Sequence, residues 1–317
     1  AGLLSGQGRI RDDQPLDELL GVQSPAGREA LLAESGSGQA TIAGAIGDAP
    51  LSLGASETPV LEPEITLTTA VALGEAGGAP VCTVNELGEG RAILLNVPIE
   101  AFATQRATAG VKPVQELLVA AVQSAGVQPP ARVTLADGSR PLAINTVQFG
   151  SGPARYLGIQ QDILVRGIGE QALQIELPEP AFVYDIRAGR PVGEGRVSEW
   201  YATIERGWPL VYALLPYEVT AVEVQTPEQA VRGQTAHAQV NVRVSEGRPD
   251  AHVVRMDVFA PGSDVAHREY SQNILVRSDA GYRTDIPFAL SDERGEWRLL
   301  FRDVASGVRA ERTLMLQ

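Results

Sequence analysis

The chain has 317 residues, of which 44% are hydrophobic and 21% are charged, an ordinary globular composition. This length predicts two or three domains, each large enough to bury its own core. The net charge of -13 disfavours nucleic acid and anionic membrane surfaces as partners, because both repel an acidic protein. A single cysteine excludes an intrachain disulfide and a thiolate metal cluster.

The first third of the chain mixes helix and strand. Residues 15–20 carry a proline and acids early and are followed by Gly21, which predicts a short helix. Two β-rich runs at 81–84 and 92–97 predict a hairpin whose intervening glycines take positive φ. Apolar residues at three- and four-residue spacing predict an amphipathic helix at about 113–124.

The rest of the chain carries strand signals only. Gln128-Pro129-Pro130 breaks the helical pattern, and the runs that follow are of strand length and end at Gly or Pro, which predicts a sandwich. A short connector at 225–228 marks a second boundary. Beyond it, alternation over 236–244 and several further short runs give about seven strands, the pattern of an immunoglobulin-like sandwich. The predicted domains are therefore 1–130, 131–226 and 227–317.

Three segments carry a family resemblance. Residues 16–22, the run PVCTVNELGEGRAILLN at 80–96 and the helix ending at Gly126-Val127 resemble the later part of the amidotransferase-like trimerisation domain of family 42 β-galactosidase-like proteins. Residues 182–189, with 211–216, look like the all-β modules that follow such domains. The closing runs at 296–299 and 302–307 resemble the last strands of an accessory immunoglobulin-like module.

The resemblance implies a fold class of α/β plus all-β: a partial amidotransferase-like α/β domain followed by two β-sandwich domains. In that family the catalytic barrel precedes this region, so the expected function is a non-catalytic accessory and oligomerisation region of a glycoside-hydrolase-like protein. The alternative is a structural subunit of an extracellular or surface assembly built from tandem β-sandwiches. A third hypothesis is a hydrolase whose site is assembled from distant residues.

The expected partners follow from these hypotheses. We expect self-association and consider a glycan as a possible ligand, with no nucleic acid and no membrane insertion. No cofactor and no metal are expected, and a secreted or cell-surface location is favoured over the cytoplasm.

The candidate catalytic and metal-binding residues have plainer interpretations. Glu86 and Glu89 flank a turn, where exposed carboxylates lack the cleft that glycosidase chemistry needs. His237, His252 and His267 are the only histidines, and their wide spacing favours surface imidazoles over a metal site. No catalytic residue is therefore predicted. The sole cysteine, Cys82, is predicted to be a small buried hydrophobe because it lies within an apolar run.

Three aromatic residues are the candidate contact site. Trp200, Tyr201 and Trp208 could form a stacking platform for a sugar ring or anchor an interface. The alternative interpretation is a place in the sandwich core, which the low aromatic content of 5% favours.

Overall fold

The computed structural model describes residues 16–24, 36–46, 49–99, 102–103, 106–108, 113–150, 152–277 and 280–317. The chain divides into two compact units, Ala1–Pro129 and Pro130–Gln317, which are described separately. The described residues are mostly β and form several sheets, as the strand signals predicted. No helix in this described part of the chain is long and apolar enough to cross a membrane.

The described part of the first unit contains helices and antiparallel sheets. Its helices with described bounds are α1 (Asp17–Leu20) and α2 (Pro113–Ser124). The strands are β1 (Val22–Gln23), β2 (Gly36–Ile46), β3 (Ala49–Val60), β4 (Thr66–Leu67), β5 (Val71–Ala72), β6 (Glu75–Ala76), β7 (Ala79–Pro80), β8 (Cys82–Leu87) and β9 (Gly90–Leu95). The pairings are β1 with β4, β2 with β3, β6 with β7, and the three-stranded order β5-β8-β9.

The local predictions for the first unit are largely confirmed. Helix α2 has the predicted bounds, and α1 ends at Gly21, whose φ of +65° is the left-handed conformation of a C-cap. Pro15 lies outside the described residues. Strands β8 and β9 form the predicted hairpin, but only Gly88 takes positive φ, because Gly90 already pairs with Leu87 in the ladder. The long ribbon of β2 and β3 was not predicted.

The second unit begins with a six-stranded antiparallel sheet, here called the middle sheet. Its strands are β10 (Arg132–Leu135), β11 (Ile144–Phe149), β12 (Arg155–Gln161), β13 (Gln171–Asp185), β14 (Arg190–Ile204) and β15 (Leu210–Leu215). The order is β10-β13-β15-β12-β11, and β14 lies along the other side of β13. The β13 register shifts between Glu176 and Ala181, yet Leu173 and Val183 from its two halves share one core. The sheet therefore curls around its own core.

The chain then forms a two-sheet sandwich, here called the C-terminal sandwich. Its strands are β16 (Val219–Gln225), β17 (Gln229–Ala230), β18 (Thr235–Val244), β19 (His252–Phe259), β20 (Gln272–Val276), β21 (Tyr282–Pro287), β22 (Gly295–Asp303) and β23 (Arg309–Leu316). One sheet has the order β16-β18-β21 and the other β17-β23-β22-β19-β20.

The predicted alternation along β18 is confirmed. Ala236, Ala238, Val240 and Val242 are buried in the sandwich core, while His237 on the same strand is exposed. Strand β16, placed by the sequence before the second boundary, pairs with β18 and so belongs to this sandwich. The division of the chain into three domains stays a prediction.

Candidate functional site

The three candidate aromatic residues do not lie together on one surface. Trp200 and Tyr201 are neighbours on β14, and successive side chains of a strand point to opposite faces. Trp200 is 6% exposed and packs edge to face against Tyr212, with ring centroids 5.0 Å apart. Trp200 is therefore a residue of the middle-sheet core, the interpretation that the low aromatic content favoured, and the proposal of Trp200 as a ligand or interface contact is wrong.

Tyr201 lies on the solvent face of β14 and is 68% exposed. Its hydroxyl donates to Glu199 Oε1 at 3.0 Å, and Gln174 Nε2 donates to the same oxygen at 2.8 Å. The hydrogen bond to the Glu199 carboxylate raises the pKa of Tyr201, since the bond favours the protonated phenol. Tyr201 is thus an exposed ring whose polar end is already bonded.

Trp208 lies in the turn between β14 and β15 and is 62% exposed. The guanidinium carbon of Arg187 lies 4.9 Å from the centroid of the indole ring, within cation–π distance. Arg187 is held there because its Nη1 donates to the Pro209 carbonyl at 3.2 Å. No ring contact among the described residues joins Trp208 to Tyr201, so each presents a separate aromatic surface.

A buried chain of polar side chains lies where the middle sheet meets the C-terminal sandwich. His252 Nδ1 lies 2.8 Å from Asp303 Oδ1, and its Nε2 lies 3.1 Å from the Tyr217 hydroxyl. That hydroxyl oxygen accepts the Asp250 N–H at 2.7 Å. The second oxygen of Asp303 accepts both the N–H and the hydroxyl of Ser306, at 2.8 and 2.6 Å. Here we call this set the junction network.

The junction network cannot act as a nucleophilic triad. His252 is 1% exposed and Asp303 is fully buried, so a substrate has no access to them. Ser306 bonds to the carboxylate and not to the imidazole, whereas a serine nucleophile needs the imidazole as its base. With Nδ1 protonated toward Asp303, the Nε2 atom accepts the Tyr217 hydroxyl, and both ring nitrogens are satisfied. The junction network therefore has a structural role, since its hydrogen bonds hold the strands that carry these residues together.

The expectation of surface imidazoles is wrong for His252. Its position at the start of β19 places it beside the end of β22, where Asp303 supplies the matching acceptor. His237 is exposed and bonds to Asp285 Oδ1 at 2.6 Å, and His267 stacks on Tyr270 with centroids 4.2 Å apart. Within the described residues, no three acidic, histidine or cysteine side chains form a group able to hold a metal ion.

The other residues that the sequence singled out have the expected surroundings. Glu86 and Glu89 are exposed, and Glu86 lies 3.7 Å from Arg91 Nε across the hairpin. Cys82 is fully buried, and burial raises the pKa of its thiol to about 12. A thiol in that state is a packing group and not a nucleophile.

Comparisons with known proteins give no family for the chain. No family model matches it, and no curated protein matches it. A superoxide reductase from Ignicoccus hospitalis is 9% identical over 31% of this chain and 82% of that protein, with a TM-score of 0.21. A β-glucosidase from Listeria innocua is 9% identical over 32% of this chain and 16% of its own, with a TM-score of 0.23.

A third solved structure extends along most of the chain. Salmonella α-2-macroglobulin reacted with methylamine is 10% identical over 89% of this chain, with a TM-score of 0.25, and the match spans only 21% of that protein. At these TM-scores none of the three structures carries an argument about fold or function.

Proposed function

We propose that the chain is a non-catalytic accessory region of a larger carbohydrate-related protein of the family 42 β-galactosidase-like type. In this proposal, residues 130–317 form a rigid spacer that holds two β modules in a fixed orientation, and the region also associates with itself. The observation that carries the spacer role is the sealed junction between the middle sheet and the C-terminal sandwich.

A continuous apolar core supports the rigid junction. Tyr184, Ala213 and Leu215 of the middle sheet belong to the same buried cluster as Val219 and Val254 of the C-terminal sandwich. Separating the two modules would expose this shared core to water at a cost of about 25 cal/mol per Å² of apolar surface. The modules are therefore expected to move as one body.

Hydrogen bonds across the same junction also support its rigidity. The Val219 N–H donates to the Tyr184 hydroxyl at 3.0 Å, and the Ala154 N–H donates to Asp250 Oδ2 at 3.2 Å. The junction network adds the Tyr217 and His252 bonds. Each buried group that loses its partner costs about 1–3 kcal/mol, so these bonds penalise any bending that breaks them.

The carbohydrate link rests on the resemblance of residues 80–96 and on the exposed aromatics. Strands β8 and β9 and helix α2 contain residues of the segments that carry this resemblance. Tyr201 and Trp208 offer exposed rings of the kind that stack on sugars. We expect glycan titration to give heat that is reduced in Trp208→Ala, while a broad glycosidase screen gives no turnover. Turnover by the purified chain would contradict the non-catalytic role.

The spacer role is tested by a distance measurement between the two modules. Thr203→Cys on the middle sheet and Thr313→Cys on the C-terminal sandwich place two spin labels at exposed positions. Cys82 should not compete for label because it is buried and its thiol pKa is raised to about 12. Diluting the doubly labelled chain with unlabelled protein isolates distances within one molecule.

A rigid spacer gives one narrow distance distribution, which broadens when Tyr217→Ala removes a central junction residue. The matched control is Tyr201→Ala, which removes an exposed tyrosine away from the junction and should leave the distribution narrow. A broad distribution in the unmodified junction would contradict the spacer role.

The alternative function is a structural subunit of a larger assembly. The observation that favours it is that β11 and β14, at opposite sides of the middle sheet, each pair with only one strand among the described residues. Unpaired strand edges can be extended by further chains. Electron microscopy of purified native material that shows only discrete small particles would exclude this function.

A further inference from the structure

Strand β11 is an edge strand that lacks the usual protection of such edges. It pairs only with β12 among the described residues, and all its residues after Ile144 are exposed, on both faces of the sheet. Val147 and Phe149 are 55% and 53% exposed. The segment Ile144–Phe149 contains no charged residue, no proline and no glycine. Such an uncharged, exposed edge is a template for the addition of another strand.

The backbone groups that face outward from β11 can be assigned. The Asp162 N–H donates to the Ala143 carbonyl, so this pair continues the β11–β12 register as a hydrogen-bonded pair. In an antiparallel ladder such pairs alternate with non-bonded ones, so Asn145, Val147 and Phe149 bond toward β12. The N–H and C=O groups of Thr146 and Gln148 therefore face away from the sheet.

The edge strands β14 and β20 of the second unit are better protected. Strand β14 carries Arg190, Pro191, Glu194, Arg196 and Glu199, and charges and proline on an edge oppose strand addition. Strand β20 buries one of its faces, through Ile274 and Val276. Strand β11 therefore has fewer obstacles to an added strand than β14 or β20.

We propose that β11 is the surface through which a second copy of this chain binds, by antiparallel pairing of β11 with itself. The proposal names the surface for the self-association that forms part of the proposed function. A two-fold axis at Val147 places Thr146 of each copy opposite Gln148 of the other copy. Both are outward-facing residues, so each of these pairs can exchange two backbone hydrogen bonds.

The β11 segment is compatible with a second copy of itself as the occupant. Each chain carries a net charge of -13, so two copies repel, and a contact between acidic surfaces would add close repulsion to this. The β11 segment is uncharged, and its pairing with itself brings no like charges opposite each other. The same pairing places Val147 against Val147 and Phe149 against Asn145, which covers both exposed apolar side chains.

The test is the mass of the full chain in solution by size-exclusion chromatography with light scattering across protein concentrations. The unmodified chain should reach twice its 33.6 kDa mass. Thr146→Pro removes one outward N–H without removing a bond to β12, and Val147→Lys places two positive charges at the two-fold axis. Both variants should run as monomers. The control Thr203→Lys, at an exposed position on β14, should leave the dimer unchanged.

Each outcome decides the proposal. A monomer at all concentrations overturns it, as does a dimer that persists in the folded Val147→Lys variant. A species larger than a dimer means that β11 pairs with a different edge, which also overturns the two-fold pairing. A monomer at all concentrations also removes the self-association from the proposed function, whereas a dimer that persists in Val147→Lys, or a larger species, overturns only the β11 pairing. The spacer role fails independently of all three outcomes, through the distance measured within one molecule.

Discussion

At the scale of single residues, Tyr217 has a central place in the junction network. Its hydroxyl accepts the Asp250 N–H and reaches His252 Nε2, and both contacts are buried or partly buried. Tyr217→Phe leaves a backbone donor and an imidazole nitrogen without this partner. We expect the free energy of unfolding to fall by about 1–3 kcal/mol in chemical denaturation.

The matched control for that change is Tyr201→Phe. Tyr201 loses a hydroxyl of the same kind, but its bond to Glu199 is exposed to solvent, where water replaces it. The free energy of unfolding should change by less than about 0.5 kcal/mol. Equal losses in the two variants would contradict the structural role of the network.

Alkaline pH provides a second test at Tyr217. Burial raises the pKa of its phenol to about 12, whereas a tyrosine in an unfolded chain loses its proton near pH 10. The unfolded state therefore holds fewer protons than the folded state between about pH 10 and pH 12, and stability falls as pH rises through this window. Tyr217→Phe has no phenol at this position and so does not lose stability in this way. The difference in free energy of unfolding between the unmodified chain and Tyr217→Phe should therefore be smaller at about pH 11 than at about pH 8. A constant deficit would contradict the prediction.

At the scale of elements, two turns of the same sequence type meet at the junction. Asp185-Ile186-Arg187-Ala188-Gly189 joins β13 to β14, and Asp303-Val304-Ala305-Ser306-Gly307 joins β22 to β23. The Asp185 side chain accepts two nearby backbone N–H groups and the Asp303 side chain accepts one, and in each turn the glycine N–H donates to the aspartate carbonyl at 2.8 Å. Both glycines have positive φ. The turns touch through these glycines.

The two glycines give a matched pair of substitutions. A Cβ at Gly307 would overlap the Gly189 carbonyl, whereas a Cβ at Gly189 meets only ordinary contacts at 3.8 Å. Gly189→Ala should cost about 1–2 kcal/mol for its left-handed backbone. Gly307→Ala carries the same strain and the overlap, so its free energy of unfolding should fall further. Equal losses would mean that the two turns are not in close contact in solution.

Local patterns predicted the elements well, because their causes lie within a few residues. The 3.6-residue period at 113–124 predicts the bounds of helix α2, and the two-residue alternation at 236–242 predicts which residues of β18 are buried. The period of two also separates Trp200 from Tyr201, so the sequence contained the signal that one of these rings is buried.

The junction network could not be predicted from local pattern. His252 and Asp303 are 51 positions apart and meet only because β19 and β22 are neighbours in one sheet. The exposed edge of β11 is a similar case. Its lack of charge is visible in the sequence, but its position at the end of the sheet depends on the strand order.

At the scale of the whole molecule, charge and the uncharged edge act against each other. Two copies that each carry a net charge of -13 repel, while pairing through β11 depends on backbone hydrogen bonds and apolar contact. Salt screens the repulsion, since the screening length is about 10 Å at 0.1 M and about 3 Å at 1 M. Salt does not weaken apolar contact in the same way.

The dimer dissociation constant should therefore fall several-fold as sodium chloride rises from about 0.05 to about 0.5 M, measured by sedimentation equilibrium. Val147→Lys should stay monomeric over the same range, because the lysine disrupts the β11 pairing. The variant is also the control, since a salt-driven association at other surfaces would appear in both proteins. A dissociation constant that rises with salt would mean that ion pairs hold the copies together. Such ion pairs cannot come from β11, which carries no charged side chain.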